Sequence, residues 1–388
     1  MEYLHHSSVS ATKSELELFR IPPTQTAIDS SYEVEYRPIS SLDSTRTYDF
    51  LIPPADDFTD LSSLRIYAQV KIIPNFKAQP NEDVQKKFWD SLSVCQNFGN
   101  ALAEQIDVKF NNTNISVSNN LHPNQSFIED LFYRHKTPVE IGNLIGEPAL
   151  ITEKIKNKVF DLYFRLHTSI AQQNNLLLNG VPIGIKLIRT QDSYPLINPS
   201  ENVKATIMIE KISIFLRRVR LFPDVQAAIA MALEKSAAKY FITRNEIKSF
   251  SIGSGISSVS IENVFTGTLP RRLIVGFVKN SALTGDEKTD PFQFNNFDIN
   301  HIAAIVDGVQ YPAVPYTPDF EKDLYIREYV GMYEALNQDE GIPQIEIEYK
   351  DYKSRLCFFC FDLSSDGYLG GESGVLSLMK RGYIRVDI

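Results

Sequence analysis

The residues best spaced to do chemistry are Cys357 and Cys360, which enclose Phe358 and Phe359 in a Cys-x-x-Cys pair. That spacing serves zinc when both thiolates turn to one side, and redox exchange when the first thiol sits at a helix N-terminus. Here the pair lies in SRLCFFCFDL (354–363), a run with strand composition, in which residues three apart face opposite sides of a sheet. The sulfurs therefore diverge, and both cysteines read as small core residues. The six histidines, His5, His6, His122, His135, His167 and His301, contain no i,i+4 pair and no His-Glu-x-x-His pattern. His122, beside Pro123, reads as a loop or cap residue and His167 as the end of a strand.

Nucleophile and phosphate motifs are missing as well: there is no G-x-S-x-G, no G-x-x-x-x-G-K, and no G-x-G-x-x-G between a strand and a helix. Gly253-Ser254-Gly255 reads as a flexible turn, and DGYLGGESG (366–374) as a long surface loop. The carboxylate pairs Asp56-Asp57, Asp339-Glu340 and Glu346 with Glu348 could serve a glycosidase only if two of them flanked one groove. Because Glu346 and Glu348 alternate with Ile345 and Ile347, they read as the wet face of a half-buried strand. Arg217, Arg218 and Arg220 read as solvated arms at a strand end, and Arg271 and Arg272 likewise. The sequence thus assigns no catalytic, cofactor-binding or metal-ligating residue.

The elements that would position any site are mostly strands. From Tyr32 onward, short β-branched and aromatic runs alternate with Pro, Gly, Asn and Asp clusters. They are YEVEYRPI (32–39), TYDFLIP (47–53), LRIYAQVKII (64–73), IDVKF (106–110), VFDLYFRLH (159–167), IGIKLIR (183–189) and ATIMIEKISIFLRRV (205–219). In the third, Leu64, Ile66, Ala68, Val70 and Ile72 share one face, and Arg65, Tyr67, Gln69 and Lys71 the other. Pro123 opens a helix carrying Phe127, Leu131 and Phe132, and Pro223 opens a second, Ala-rich one over 222–239.

The second half repeats the plan with KYFITR (239–244), VSIENVF (259–265), RRLIVGFVK (271–279), HIAAIVDGVQY (301–311), QIEIEYK (344–350), SRLCFFCFDL and GYIRVDI (382–388). A helix from Pro318 presents Leu324, Ile326, Tyr329, Val330 and Tyr333. Pro123 and Pro318, 195 positions apart, open the corresponding helices. The expectation is an all-β chain of two tandem eight-stranded jelly-roll sandwiches with short inserted helices. Residues 1–31 form an N-terminal arm, 32–221 the first sandwich, 222–238 a connecting helix and 239–388 the second sandwich.

Bulk properties agree. A length of 388 residues exceeds what one core usually serves, and 43% hydrophobic with 22% charged residues leaves ample material for packing. A formal charge of -9 disfavours wholesale coating of nucleic acid. Three cysteines are too few for a disulfide framework and point to folding in a reducing compartment, so the sequons at Asn111, Asn114 and Asn124 read as incidental. No run approaches the ~18 apolar residues of a membrane span, and the N-terminus has no signal-peptide pattern.

Residues 33–72, EVEYRPISSLDSTRTYDFLIPPADDFTDLSSLRIYAQVKI, resemble the N-terminal signature of the major capsid proteins of Maverick/Polinton elements. The matching positions are Tyr36, Arg37, Pro38, Ile52, Pro53, Asp60, Leu61, Ser62, Tyr67 and Lys71. The likeness continues through IDVKFNNTNISVSNNLHPNQSFIEDLFYR to about Leu378. It implies a double jelly roll assembling as a homotrimer, a pseudo-hexagonal tile for an icosahedral lattice, with a penton-type minor capsid protein as partner and no cofactor. The expected location is a virion capsid, after synthesis in the host cytoplasm. Family members continue beyond the strand placed at 382–388 with a further apolar strand. The resemblance therefore implies a second module short of its last strand, unless more sequence follows or the arm or a neighbour covers the edge. Two competing classes are a jelly-roll hydrolase, which needs convergent acids in a groove, and a sugar-binding module, which needs exposed aromatics around a concave patch. Trp89 is the only tryptophan, which weakens the latter.

Overall fold

The computed structural model describes the chain except residues 1–6, 8–15, 17, 20, 43–45, 77–80, 117–118, 134–154, 157, 201–202, 338–344, 346 and 365–377. Strands β1 (Ile28–Tyr36), β2 (Thr47–Ile52), β3 (Phe58–Asn75), β4 (Ser93–Val94), β5 (Ala103–Phe110), β6 (Thr113–Asn114), β7 (Phe160–Arg165), β8 (Ile183–Arg189), β9 (Leu196–Ile197) and β10 (Lys204–Leu221) build the first sandwich. One sheet has the order β1-β10-β3-β7 and the other β2-β8-β5-β6, while β4 and β9 form a small separate ladder. The pairing is nested, β1 with β10, β2 with β8, β3 with β7 and β5 with β6, as if one long hairpin had been rolled into two layers. That is the jelly roll. Its core is the alternation read from sequence: Leu64, Ile66, Ala68, Val70 and Ile72 are all buried.

A second sandwich follows from β11 (Ser260–Thr268), β12 (Arg272–Gly276), β13 (Ile302–Val306), β14 (Val309–Tyr316), β15 (Phe358–Asp362) and β16 (Arg381–Asp387). The nesting recurs: β11 pairs β16, β12 pairs β15 and β13 pairs β14. Strand β16 lies between β11 and β13, as β10 lies between β1 and β3. Among the described residues this module has six strands, in a four-stranded and a two-stranded sheet. The chain is thus a double jelly roll with inserted helices.

Several local expectations fail for identifiable reasons. HIAAIVDGVQY is not one strand but a hairpin, turned at Asp307-Gly308, where both residues have positive φ (48° and 84°). That is the backbone a two-residue turn requires and Asp-Gly readily supplies. The helix expected from Pro318 begins at Ile326. Before it, Asp319 and Leu324 exchange backbone hydrogen bonds of 2.9 Å, and Asp319 Oδ1 accepts the Lys322 N–H, so a turn takes the first residues. The helix also presents a different face: Leu324, Ile326 and Val330 are exposed, while Tyr329 and Tyr333 pack inward.

KYFITR lies in a segment without a ladder. The described part of QIEIEYK is not a strand either, and Tyr349 and Lys350 open a short helix, Tyr349–Ser354. Its alternation is nonetheless real, since Ile345 and Ile347 are buried and Glu348 is exposed. Tyr hydroxyls satisfy this backbone in place of a neighbouring strand: Tyr329 donates to Ile347 O (2.8 Å), and Tyr333 to Ile347 O (3.0 Å) and Ile345 O (3.4 Å).

One continuous core runs through both sandwiches. At the seam, Phe127 of the His122–Tyr133 helix stacks on Phe292 (centroids 4.5 Å, 4°), and Phe132 meets Phe358 edge-on (5.1 Å). Phe294 lies against Phe358 (4.4 Å). The approach is close enough that a Cβ on Gly276 would fall 2.8 Å from both the Phe294 and the Phe358 ring.

Candidate functional site

Beside the aromatic seam lies a buried polar cluster. The His122–Tyr133 helix opens with Pro123 in its first turn and carries His122, Gln125, Ser126 and Glu129 at helical spacing along one face. His167, two residues beyond β7, inserts its ring between two carboxylates of that helix. Nδ1 lies 2.9 Å from Glu129 Oε2, and Nε2 lies 3.1 Å from Asp130 Oδ2. A ring whose two nitrogens both face carboxylate oxygens must donate from both, so His167 is an imidazolium. Burial works against that charge, but Asp130 and Glu129 outweigh it and hold the ring's pKa above the ordinary histidine value.

Glu129 is satisfied further by Gln125 (2.9 Å), Gln172 (2.8 Å) and, from the segment leading to the second sandwich, Asn245 (2.9 Å). Burial would raise its pKa, yet His167 and these amides hold it well below the carboxylate range. His122 is buried too, and burial followed by repulsion from His167 lowers it to about 3, so it stays neutral. Its Nε2 has no hydrogen-bond partner among the described residues. The arrangement is a clasp of one imidazolium between two carboxylates. With Glu129 held ionised and its oxygens occupied, it is poorly suited to proton transfer.

The remaining candidates disperse. Cys357 and Cys360 are free and buried, and burial raises both thiols, Cys357 to about 12, which keeps them unreactive. Phe358–Phe361, from the same run, are buried on both faces of β15. His122, expected in a loop or cap, is the first residue of its helix. His301 is half-buried and immediately precedes β13, and Trp89 is buried in a helix, Glu82–Ser91, facing Phe88. Gly253-Ser254-Gly255 is an exposed turn. His5, His6, His135, Asp339-Glu340, Glu346 and 366–374 lie outside the described residues. No group of three His, Cys, Asp or Glu side chains among the described residues could hold a metal, and no described helix is long and apolar enough to cross a membrane.

The arginine cluster divides. Arg217 and Arg220 keep exposed arms, Arg220 against Asp57 (3.3 Å) and Arg217 against Asp60 (3.8 Å). Arg218 instead is 2% exposed, contrary to the expectation of a solvated arm. Alternation along β10 turns it inward, where it donates to Thr59 Oγ1, Pro53 O (3.0 Å) and Tyr36 Oη (3.2 Å). Three separate stretches of the 33–72 segment therefore converge on one guanidinium. Nearby, Asp60 and its serines line an irregularity at which four β3 residues, Leu61–Leu64, oppose Leu216 alone. Asp60 accepts Ser62 N–H (3.0 Å) and Ser62 Oγ–H (2.6 Å), and Ser63 Oγ accepts Arg217 N–H (2.8 Å). In the second sandwich, Arg272 also departs from expectation: all three guanidinium nitrogens are buried without a hydrogen-bond partner among the described residues.

Asp57 lines an open depression of ≈ 690 Å³ with Tyr32, Asp56 and Arg220. The Tyr32 hydroxyl donates to Asp57 at 2.6 Å, and with Arg220 it holds the carboxyl below its ordinary range, so Asp57 stays ionised. A general acid needs the opposite shift. Sequence missed Glu129 and Asp130 because nothing local ties them to His167. The polar stripe His122, Gln125, Ser126 and Glu129 beside the apolar Phe127, Leu131 and Phe132 was the available signal.

No family model matches the chain. A curated relative, the uncharacterized protein F54H12.2 of Caenorhabditis elegans, is 29% identical over 113 residues, which is 29% of this chain and 26% of that protein. The match thus spans about a quarter of the relative's length. Among solved structures, a chain of the Sputnik virophage aligns over 98% of this chain and 86% of its own, with TM-score 0.60 and 10% identity. PBCV-1 VP54, fitted into a Sputnik reconstruction, covers 95% and 86% with TM-score 0.57 and 9% identity. A quasi-atomic model of the PBCV-1 virus capsid gives 95%, 86%, 0.56 and 9%. At these identities the likeness establishes the shared double jelly-roll architecture.

Proposed function

We propose that this chain is a major capsid protein, a structural tile and not an enzyme, that assembles with copies of itself into the shell of a virus-like particle. The observation that carries the reading is the double jelly roll itself, aligned over 95–98% of the chain with structures of virophage and virus capsids. Two similar modules per chain give a homotrimer six roughly equivalent sides, which suits a pseudo-hexagonal capsomer on an icosahedral lattice. In this reading residues 1–31 are the arm, 32–221 and 239–388 the two tile modules and 222–238 their connector. The capsid is the site of action and a penton-type protein the vertex partner.

The finer assignment, to a Maverick/Polinton-type element, is supported by the signature of residues 33–72. Tyr36 and Pro53 of that signature touch Arg218, and Asp60 and Ser62 order the β3 irregularity. Light scattering and negative-stain imaging of the purified full chain test the proposal. Trimers with three-fold, two-tiered outlines are expected. A chain that stays monomeric at micromolar concentration would sink it.

A further inference from the structure

The segment from Phe222 to Ser258 is unlike the rest of the chain. It joins the two sandwiches as the Pro223–Lys235 helix followed by a long stretch, to the start of β11 at Ser260, with no helix or strand. Unstructured connections longer than about 12–15 residues are uncommon inside compact domains and usually functional. None of its residues is buried, although it holds Phe222, Met231, Leu233, Phe241, Phe250, Ile252 and Ile256. Met231 is 62% exposed, Phe241 64% and Ile256 54%. Apolar content of this kind, left open to water over one continuous stretch, marks an interaction surface.

The stretch is also pinned in place. Tyr240 is held by Leu178 N–H and donates to Leu176 O, both at 3.1 Å. Asn245 joins the Glu129 clasp, and Lys248 donates to Val264 O at 2.9 Å. Tyr240 and Ile242 turn inward while Phe241 and Thr243 turn out, the alternation of a strand. Yet KYFITR has no ladder partner among the described residues. A strand-forming run with an open backbone edge accepts a further strand or extended segment.

We propose that the Phe222–Ser258 strip is the surface on which a second copy of this chain packs. Charge and the unpaired strand edge both accord with that occupant. The strip carries Lys235, Lys239, Arg244 and Lys248 against Asp224, Glu234 and Glu246, while the whole chain has a formal charge of -9. A slightly basic apolar strip on an otherwise acidic protein complements the remaining surface of another copy. The inference rests on the self-assembly reading and specifies the face through which it operates.

The test compares the full chain with the triple variant Met231→Glu/Phe241→Glu/Ile256→Glu and with the control Val314→Glu, which alters an equally exposed residue of β14. Light scattering should show assembly of the parent and the control, and a monomeric triple variant with unchanged circular dichroism and cooperative melting. A triple variant that assembles like the parent overturns the proposal while leaving self-assembly intact; a monomeric parent overturns self-assembly itself. Hydrogen exchange on the unaltered chain provides a second arm if the variant does not fold. Amides of 236–258 should slow on going from dilute to assembled samples, and unchanged exchange there refutes the strip. Cosedimentation of the dilute chain with phosphatidylcholine vesicles, lost in the triple variant, would assign the surface to lipid and also overturn it.

Discussion

The two sandwiches obey one pairing rule and complete it differently. The first nests four strand pairs, ending with β5 and β6, and closes both sheets at four strands. Among its described residues the second nests three and turns directly from β13 to β14 through Asp307-Gly308, and its smaller sheet there holds β12 and β15. The Ile326–Ala335 helix packs against β15, and its tyrosines bond the Ile345 and Ile347 carbonyls. Among the described residues, a helix thus covers a strand of the two-stranded sheet.

The seam shows the same contrast in chemistry. The first sandwich contributes a charged clasp, the second mainly aromatic rings. Removing either should cost a similar amount, because both occupy one continuous core. His167→Ala leaves the Glu129 and Asp130 carboxylates without their shared cation and should lose about 3–5 kcal/mol. Phe358→Ala should lose about 3–5 kcal/mol through the cavity it opens. Denaturant melts should show one transition in each case; two separate transitions would break the picture of a shared core.

The clasp should also make stability fall in acid in a way the aromatic side cannot. His122 has a folded pKa of about 3. The unfolded chain therefore takes up a proton below about 6.5 while the folded one does not, costing about 2 kcal/mol by pH 5. Glu129, lowered, adds a loss only below its ordinary carboxylate value. His167 has the opposite sign: its raised pKa contributes fully below the ordinary histidine value and is lost as pH rises through the folded value. Melts of His122→Gln across pH 7 to 4 should lack the first component, with Glu129, Asp130 and His167 left facing one another.

Two inward arginines sharpen the contrast further. Arg218→Met strands Thr59, Tyr36 and Pro53 O and should cost about 1–3 kcal/mol. Arg272→Met removes a buried charge that no described group pairs, so thermal melts should show unchanged or higher stability. The smallest loss should come from Tyr333→Phe, about 0.5–1.5 kcal/mol for hydrogen bonds to the Ile345 and Ile347 carbonyls. A larger loss would mean that those bonds, more than helix packing, hold the second module's flank.

Much of this was legible in the residues. The period-two alternation of 64–72, the helices opened by Pro123 and Pro223 and the buried, core-type Cys357 and Cys360 all depend on chain-local geometry, which side-chain type and spacing determine. Asp307-Gly308 was legible too, as a turn signal, and reading through it merged two strands into one. KYFITR and QIEIEYK look like strands because burial alternates along them. Whether such a run enters a sheet depends on a neighbour being available to pair, and no local pattern supplies that.

Sequence by itself settled the β-rich, duplicated plan and the faces of most strands, because backbone period and solvent transfer act residue by residue. Tertiary structure decided which charges are buried and with whom: that His167 is held between Glu129 and Asp130, that Arg218 gathers Tyr36, Thr59 and Pro53, and that the connector lies open. Those outcomes depend on groups far apart in the chain meeting in a medium too poor in water to leave them unpaired, and only the folded arrangement specifies such meetings.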